Sequence, residues 1–158
     1  MIDNKNSLDL TDSILRILGI IGFFATVISG FIFAGGNLIT LIHIPEIIIV
    51  LGTIFFGLLC THRTRFLSYL PKAMLACLAK PSPDRDYCQI SDNAMRYAAA
   101  GGGIAVILSL ITTMSNLAHP EQVGLRVAAA MSGVVIAMLL SQGLFVYLRH
   151  SFSENGSK

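Results

Sequence analysis

The chain has 158 residues, of which 54% are hydrophobic and only 13% charged, with a formal net charge of +2 and a mean hydropathy of +0.71. Soluble domains carry about 25% charged residues, and disordered chains pair low hydrophobicity with high charge. The composition therefore excludes a disordered chain and disfavours a soluble globule, and the charge is too small for nucleic-acid binding.

A transmembrane helix needs about 20 mostly apolar residues. No residue between Arg16 and Glu46 carries a full charge, and Ile17 to Ala34 is dense in Ile, Phe and Gly. This is the first expected span. Gly35-Gly36-Asn37 predicts a turn after it. Pro45 and Glu46 suit a helix start, where the missing amide costs nothing and the carboxylate meets the positive end of the dipole. Ile47 to Thr61 is the second span, and it reaches spanning length only if residues near Ile42 or Phe66 lie at membrane depth. Tyr97 to Ala118 and Val127 to Leu148 are each uncharged for 22 residues. They form spans three and four, joined by a loop with His119, Pro120 and Glu121.

The sequence thus predicts an all-α integral membrane protein with four transmembrane helices. The expected organisation is an N-terminal segment over 1–16, a hairpin over 17–61, a short linker over 62–96, a second hairpin over 97–148 and a tail over 149–158. Ten of the eleven Lys/Arg fall in the segments that share one side, with Arg126 opposite. By the positive-inside rule both termini and the linker are cytoplasmic. The acidic front, Asp3, Asp9 and Asp12, argues against a cleaved signal peptide. With no Trp, interfacial anchoring falls to four Tyr and to Lys/Arg. In the linker, Phe66, Leu67, Leu70, Met74, Leu75 and Leu78 recur at helical spacing. They predict either an amphipathic helix on the membrane face or against a neighbour, or a plain continuation of span two. Pro81-Ser82-Pro83-Asp84 predicts a turn, and Ser91 or Asp92 is the expected cap of the helix entering span three.

Catalytic signatures are absent. Ala100-Gly101-Gly102-Gly103 lacks the preceding strand and following Lys-Ser/Thr of a phosphate loop. Cys60, Cys77 and Cys88 lack metal spacing and read as free thiols. His43 and His119 fall on the outer side and are not expected to bind metal. Glu46 reads as a helix-start or interfacial carboxylate rather than a proton carrier. An enzyme is not expected, and neither is a bound cofactor or metal.

Small and hydroxyl residues instead run in rows. On span three, Ala98, Gly102, Ala105, Ser109 and Thr112 follow steps of four and three, so they share one face, with Thr113 and Asn116 extending it. On span four, Ala130, Gly133, Ala137 and Ser141 repeat the device beside Ser132 and Gln142. Small residues let helix backbones approach closely, and hydroxyls bond across helices where water is absent. Two readings follow. The rows pack within one four-helix unit, or they face a shared axis and receive a helix from elsewhere as pore-lining or partner-contacting residues.

Two segments carry a resemblance. Gly30-Phe31-Ile32-Phe33-Ala34-Gly35-Gly36-Asn37-Leu38, running on through Ile44-Pro45-Glu46 to Gly52, resembles the start of the flagellar stator subunit MotA. There a Gly-Gly turn leads to a Pro-containing start of the second span. Ser115-Asn116-Leu117-Ala118-His119-Pro120-Glu121-Gln122-Val123-Gly124 is similar to that family's loop between spans three and four. The likeness extends over most of residues 14–148, and the wider group includes the TolQ and ExbB proton-channel proteins. The resemblance implies a subunit of the bacterial plasma membrane that forms a ring, five copies being expected, around helices of a single-span MotB-like partner. That partner supplies the proton-accepting Asp, and the transported ion is H⁺ or Na⁺. Two departures stand out. The family's long cytoplasmic linker is short here, and its ion-route Thr positions align with Val106 and with Gly133 or Val134, leaving Ser109 and Ser132 as the nearby hydroxyls. The function expected is a MotA-like subunit of an ion-driven motor or energy-transducing complex. The alternative is a non-conducting scaffold that oligomerises through its small-residue faces. A small transporter is a weaker third reading, because the four spans show no internal repeat.

Overall fold

The computed structural model describes residues 3–36, 44–76, 84–115 and 120–153, with the backbone alone for 3–13, 16 and 120–122. The described residues form helices and no strand: α1 (Asp3–Phe33), α2 (Ile44–His62), α3 (Thr64–Ala76), α4 (Arg85–Ser115), α5 (Pro120–Met138), a π-helical stretch Leu139–Phe145, and α6 (Val146–Ser153), which continues the same rod. Three helices are long and apolar enough to cross a membrane: Ile44–His62, Arg85–Ser115 and Val123–Ser153. Ile17–Phe33 is apolar but shorter, so three helices of spanning length stand where four spans are expected.

Local chemistry accounts for the boundaries. Gly35 closes α1 with a φ of 82°. Its amide bonds the Ile32 carbonyl, and the Gly36 amide reaches back to Phe31, both at 2.9 Å. This paired pattern is the common glycine-based helix stop. Asn37, expected in the same turn, lies outside the described residues, as do Ile42, His43, Cys77, Leu78, Pro81 to Pro83 and Asn116 to His119. α2 begins at Ile44, one residue before the Pro45-Glu46 start signal, and reaches 19 residues. Arg63 then takes a φ of 46°, and its amide bonds the Leu59 carbonyl at 3.0 Å. A left-handed residue cannot continue an α-helix, so α3 is a separate helix and not an extension of span two.

Two expected boundaries are corrected. α4 starts at Arg85, six residues before the predicted cap, because the Asp84 carboxylate accepts the Asp86 amide at 3.0 Å and serves as the N-cap. Ser91 lies inside the helix and is buried. Pro120, expected in a loop, is the first residue of α5, where proline's fixed φ is already helical.

α4 is the centre of the packing, antiparallel to α2 on one side and to the α5–α6 rod on the other. Its three consecutive glycines divide the work, since successive residues point about 100° apart around a helix. A Cβ at Gly101 would stand 3.1 Å from the Val50 Cα and Thr53 Cβ of α2. One at Gly102 would stand 2.6 Å from the Ala137 Cβ on α5, whereas one at Gly103 would meet nothing within 4 Å. Ala105 and Gly133 repeat the α4–α5 approach one turn on, at 3.0 Å. α1 meets the bundle at the π-helical stretch, where a Cβ on Gly143 would stand 2.7 Å from the Phe23 ring.

The end of the bundle that carries α3 is tied by polar contacts. Arg65 pairs with Asp86, and Arg149 pairs with Asp92 at 2.9 Å. Tyr69 and Ser91 share a buried hydrogen bond of 2.9 Å. Lys72 donates to the Tyr87 hydroxyl at 2.7 Å, and Tyr69, Tyr87 and Phe152 cluster with centroids 5.4–5.9 Å apart.

The glycine geometry separates two neighbouring substitutions. Gly102→Ala forces apart two backbones in contact, and overpacking of this kind costs about 1–3 kcal/mol. Gly103→Ala meets open space and gains helix propensity, about 0.5–1 kcal/mol. Thermal unfolding of the purified chain in detergent should show a lower midpoint for the first and an equal or higher one for the second. A reversed order would refute the assigned α4–α5 contact.

Candidate functional site

The predicted site residues divide into three groups. Gly102, Ala105, Gly133 and Ala137 are buried in the contact between α4 and α5. Their small side chains allow the close approach of α4 and α5 within the chain, and Gly102 and Ala137 also line the groove described below.

The hydroxyl residues form the second group. Thr113 is buried and donates to the Ser109 carbonyl at 2.7 Å. Buried Ser132 donates to the Ala129 carbonyl at 2.7 Å. Thr112 is exposed and lies 3.1 Å from the Leu108 carbonyl and 2.9 Å from that of Ser109. These bonds return to the residues' own helices, a common fate of Ser/Thr in apolar helices. Ser141 is buried, and its carbonyl accepts the Val146 amide in the π-helical stretch.

Ser109 differs. Its hydroxyl crosses to α2 and donates to Glu46 Oε1 at 2.9 Å. Glu46 is the third residue of α2, as its helix-start reading expects, yet it is only 4% exposed. Its methylenes pack against Gly133, whose absent Cβ would stand 3.4 Å from both Cβ and Cγ of Glu46. Burial is added to that reading: the carboxylate is enclosed where α2, α4 and α5 meet. A cavity of about 500 Å³ opens beside it, lined also by Pro45, Leu108, Thr112 and Arg126. A buried ionisable group in an apolar helix bundle is costly and marks a functional position by default. The sequence signal was Pro45-Glu46 at the head of an apolar run. Helix periodicity alone could not show that Gly133 leaves room for the glutamate stem.

The third group is an uncovered edge. Ala99, Gly102 and Gly103 of α4, with Val134, Ala137 and Met138 of α5 and with Ser141 and Gln142, line a groove of about 210 Å³. Val106 falls on the same face of α4 as Ala99 and Gly103 by helix spacing. Of the two candidates for the second ion-route position, Val134 lines this groove and Gly133 is buried. Both groove-side positions are apolar. The groove thus takes in Gly102, Ala137 and Ser141 of the predicted rows together with residues one step round each helix.

Among the described residues, no group of three or more His, Cys, Asp or Glu could hold a metal ion. Cys60 and Cys88 are free thiols.

Loss of the Ser109 hydroxyl leaves a buried carboxylate with one donor fewer, a change worth about 1–3 kcal/mol. Ser109→Ala should lower the unfolding midpoint in detergent, and Ser109→Thr should retain most of the stability. Equal stability of the Ala variant and the parent chain would show that the bond to Glu46 contributes nothing.

Comparison with known proteins adds one match. Residues 17–90 match the family model described as Motility protein A N-terminal. The match runs from the shorter apolar stretch through α2 and α3 into the first turns of α4, and the α4–α5 pair beyond residue 90 lies outside it. No curated protein and no solved structure matches the chain. The match supports a MotA-like reading of residues 17–90, a little under half of the chain.

Proposed function

We propose that this chain is a stator-like subunit of an ion-driven membrane motor or energy-transducing complex, assembled as a ring around helices of a single-span partner. The observation that carries this reading is the Motility protein A N-terminal match over residues 17–90. The helices of spanning length are consistent with it. In this reading both termini and the α3 end face the cytoplasm, and the bilayer is the bacterial inner membrane. The groove of Ala99, Gly103, Val134 and Met138 receives the partner helix, because Gly103 lets a backbone approach without steric cost. The partner contributes the carboxylate that takes the proton, or the Na⁺ ion, at mid-membrane. Glu46, enclosed at the opposite end from α3 and bonded to Ser109, supplies a protein-bound polar group near the outer mouth of that route.

One observation favours the second reading, a scaffold that holds a partner without conducting. Val106 and Val134 carry no hydroxyl where the family's ion route carries Thr.

Particle symmetry and ion flux together decide between the two. Chain co-expressed with its single-span partner should purify as a ring, five-fold in the family's pattern, with two central helices, and should carry protons or Na⁺ in proteoliposomes. Gly103→Leu should fill the groove and abolish co-purification of the partner while leaving the chain folded. A compact monomer, or retention of the partner by Gly103→Leu, would overturn the assigned edge. An intact ring without flux would select the scaffold.

A further inference from the structure

We propose that the apolar groove beneath α3 holds an acyl chain of a bilayer phospholipid, with α3 lying in the membrane interface as its cover. This inference requires only that the chain is membrane-embedded, not that it conducts ions.

α3 has three sides where a helix on a protein surface has two. Phe66, Tyr69, Ala73 and Ala76 are buried against the bundle. Arg65, Ser68 and Lys72 share a polar side. Between these lies a second apolar stripe, Leu67, Leu70, Met74 and Leu75, which is 64%, 49%, 72% and 62% exposed. Leu67, Leu70 and Met74, at steps of three and four, share one face, Leu75 widens it by the next position round the helix, and no described part of the chain covers it. Four large apolar side chains in a row require an apolar medium on that side. The medium is at hand: α3 follows the end of spanning helix α2 after a single residue, Arg63. It therefore starts at the membrane boundary, where Arg63, Arg65 and Lys72 reach headgroup level.

The groove continues the same surface inward. It encloses about 580 Å³ between Leu51, Phe55 and Leu58 of α2, Leu70 and Met74 of α3, and the Leu140–Leu148 segment. Leu51 and Phe55 are also about half exposed on the membrane-spanning wall of α2, so groove and lipid-facing surface are continuous. The volume lies within the range of about 300–1,000 Å³ usual for small-molecule sites. The Tyr69 hydroxyl on the wall is bonded to Ser91, leaving hydrocarbon as the surface presented. A second copy of the chain is the poorer occupant. Helices dock in membranes through small residues that let backbones approach, and this groove is walled by Leu, Ile, Phe and Met with Ala73 as its one small member. A flexible methylene chain fits between such side chains without close backbone approach.

The absence of Trp from the sequence makes the test direct. Single-Trp variants Leu70→Trp, at the groove, and Met74→Trp, on its rim, are placed in the full-length chain. They are reconstituted in phosphatidylcholine/phosphatidylglycerol vesicles with or without bromine on the acyl chains. Phe56→Trp, on the 64%-exposed outer side of α2, is the lipid-facing reference. Bromine should quench emission at Leu70→Trp and Met74→Trp as strongly as at Phe56→Trp, with little further loss on adding acrylamide. Quenching by acrylamide and not bromine would show the groove open to water and overturn the proposal. Quenching by neither would show it covered by protein, a second copy included, and would overturn it equally. Met74→Trp guards against a local disturbance at Leu70, since its side chain is already largely outside the fold.

Discussion

The arrangement depends on close backbone approach at the glycine run of α4. In an apolar surround, helices gain little from hiding hydrophobic surface from one another, so contact depends on how near their backbones can come. Gly101 admits α2, and Gly102 admits α5. The helix pitch alone assigns these neighbouring glycines to different partners. Gly133 returns the favour from α5, leaving space that Ala105 and the stem of Glu46 both occupy. The buried carboxylate borders the same contact: a Cβ at 133 would press on Ala105 at 3.0 Å and would touch the glutamate stem at 3.4 Å.

The α-helical class, the long apolar helices and most of the small-residue rows were legible in the sequence. Uncharged runs of 22 residues have few alternatives to a helix in an apolar medium. What the rows face was not legible. Periodicity fixes which residues share a side but not what lies opposite, and a row suited to a partner is equally suited to a neighbouring helix of the same chain. The structure assigns Gly102 and Ala137 to each other and leaves Ala99 and Gly103 uncovered.

Boundaries were misread for a related reason. Asp84, preceded by a Pro-rich stretch, reads as part of a turn, whereas its carboxylate caps the helix that follows. Ser91 reads as a cap because it is polar near an apolar run, yet its hydroxyl meets Tyr69 across helices. Hydrogen bonds between residues distant in sequence leave no periodic trace. Those joining Thr61 to Tyr97, His62 to Asn93 and Tyr69 to Ser91 were correspondingly invisible, although together they bind α2 and α3 to the foot of α4.

The single left-handed residue between α2 and α3 has a mechanical corollary. A joint one residue long has almost no slack, so α3 behaves as a short lever fixed to the base of α2. Its ion pair with Asp86, through Arg65, and its Tyr69–Ser91 bond clamp the near half of that lever to α4. A change in the tilt of α2 would therefore have to carry α3 with it and load its attachments to α4.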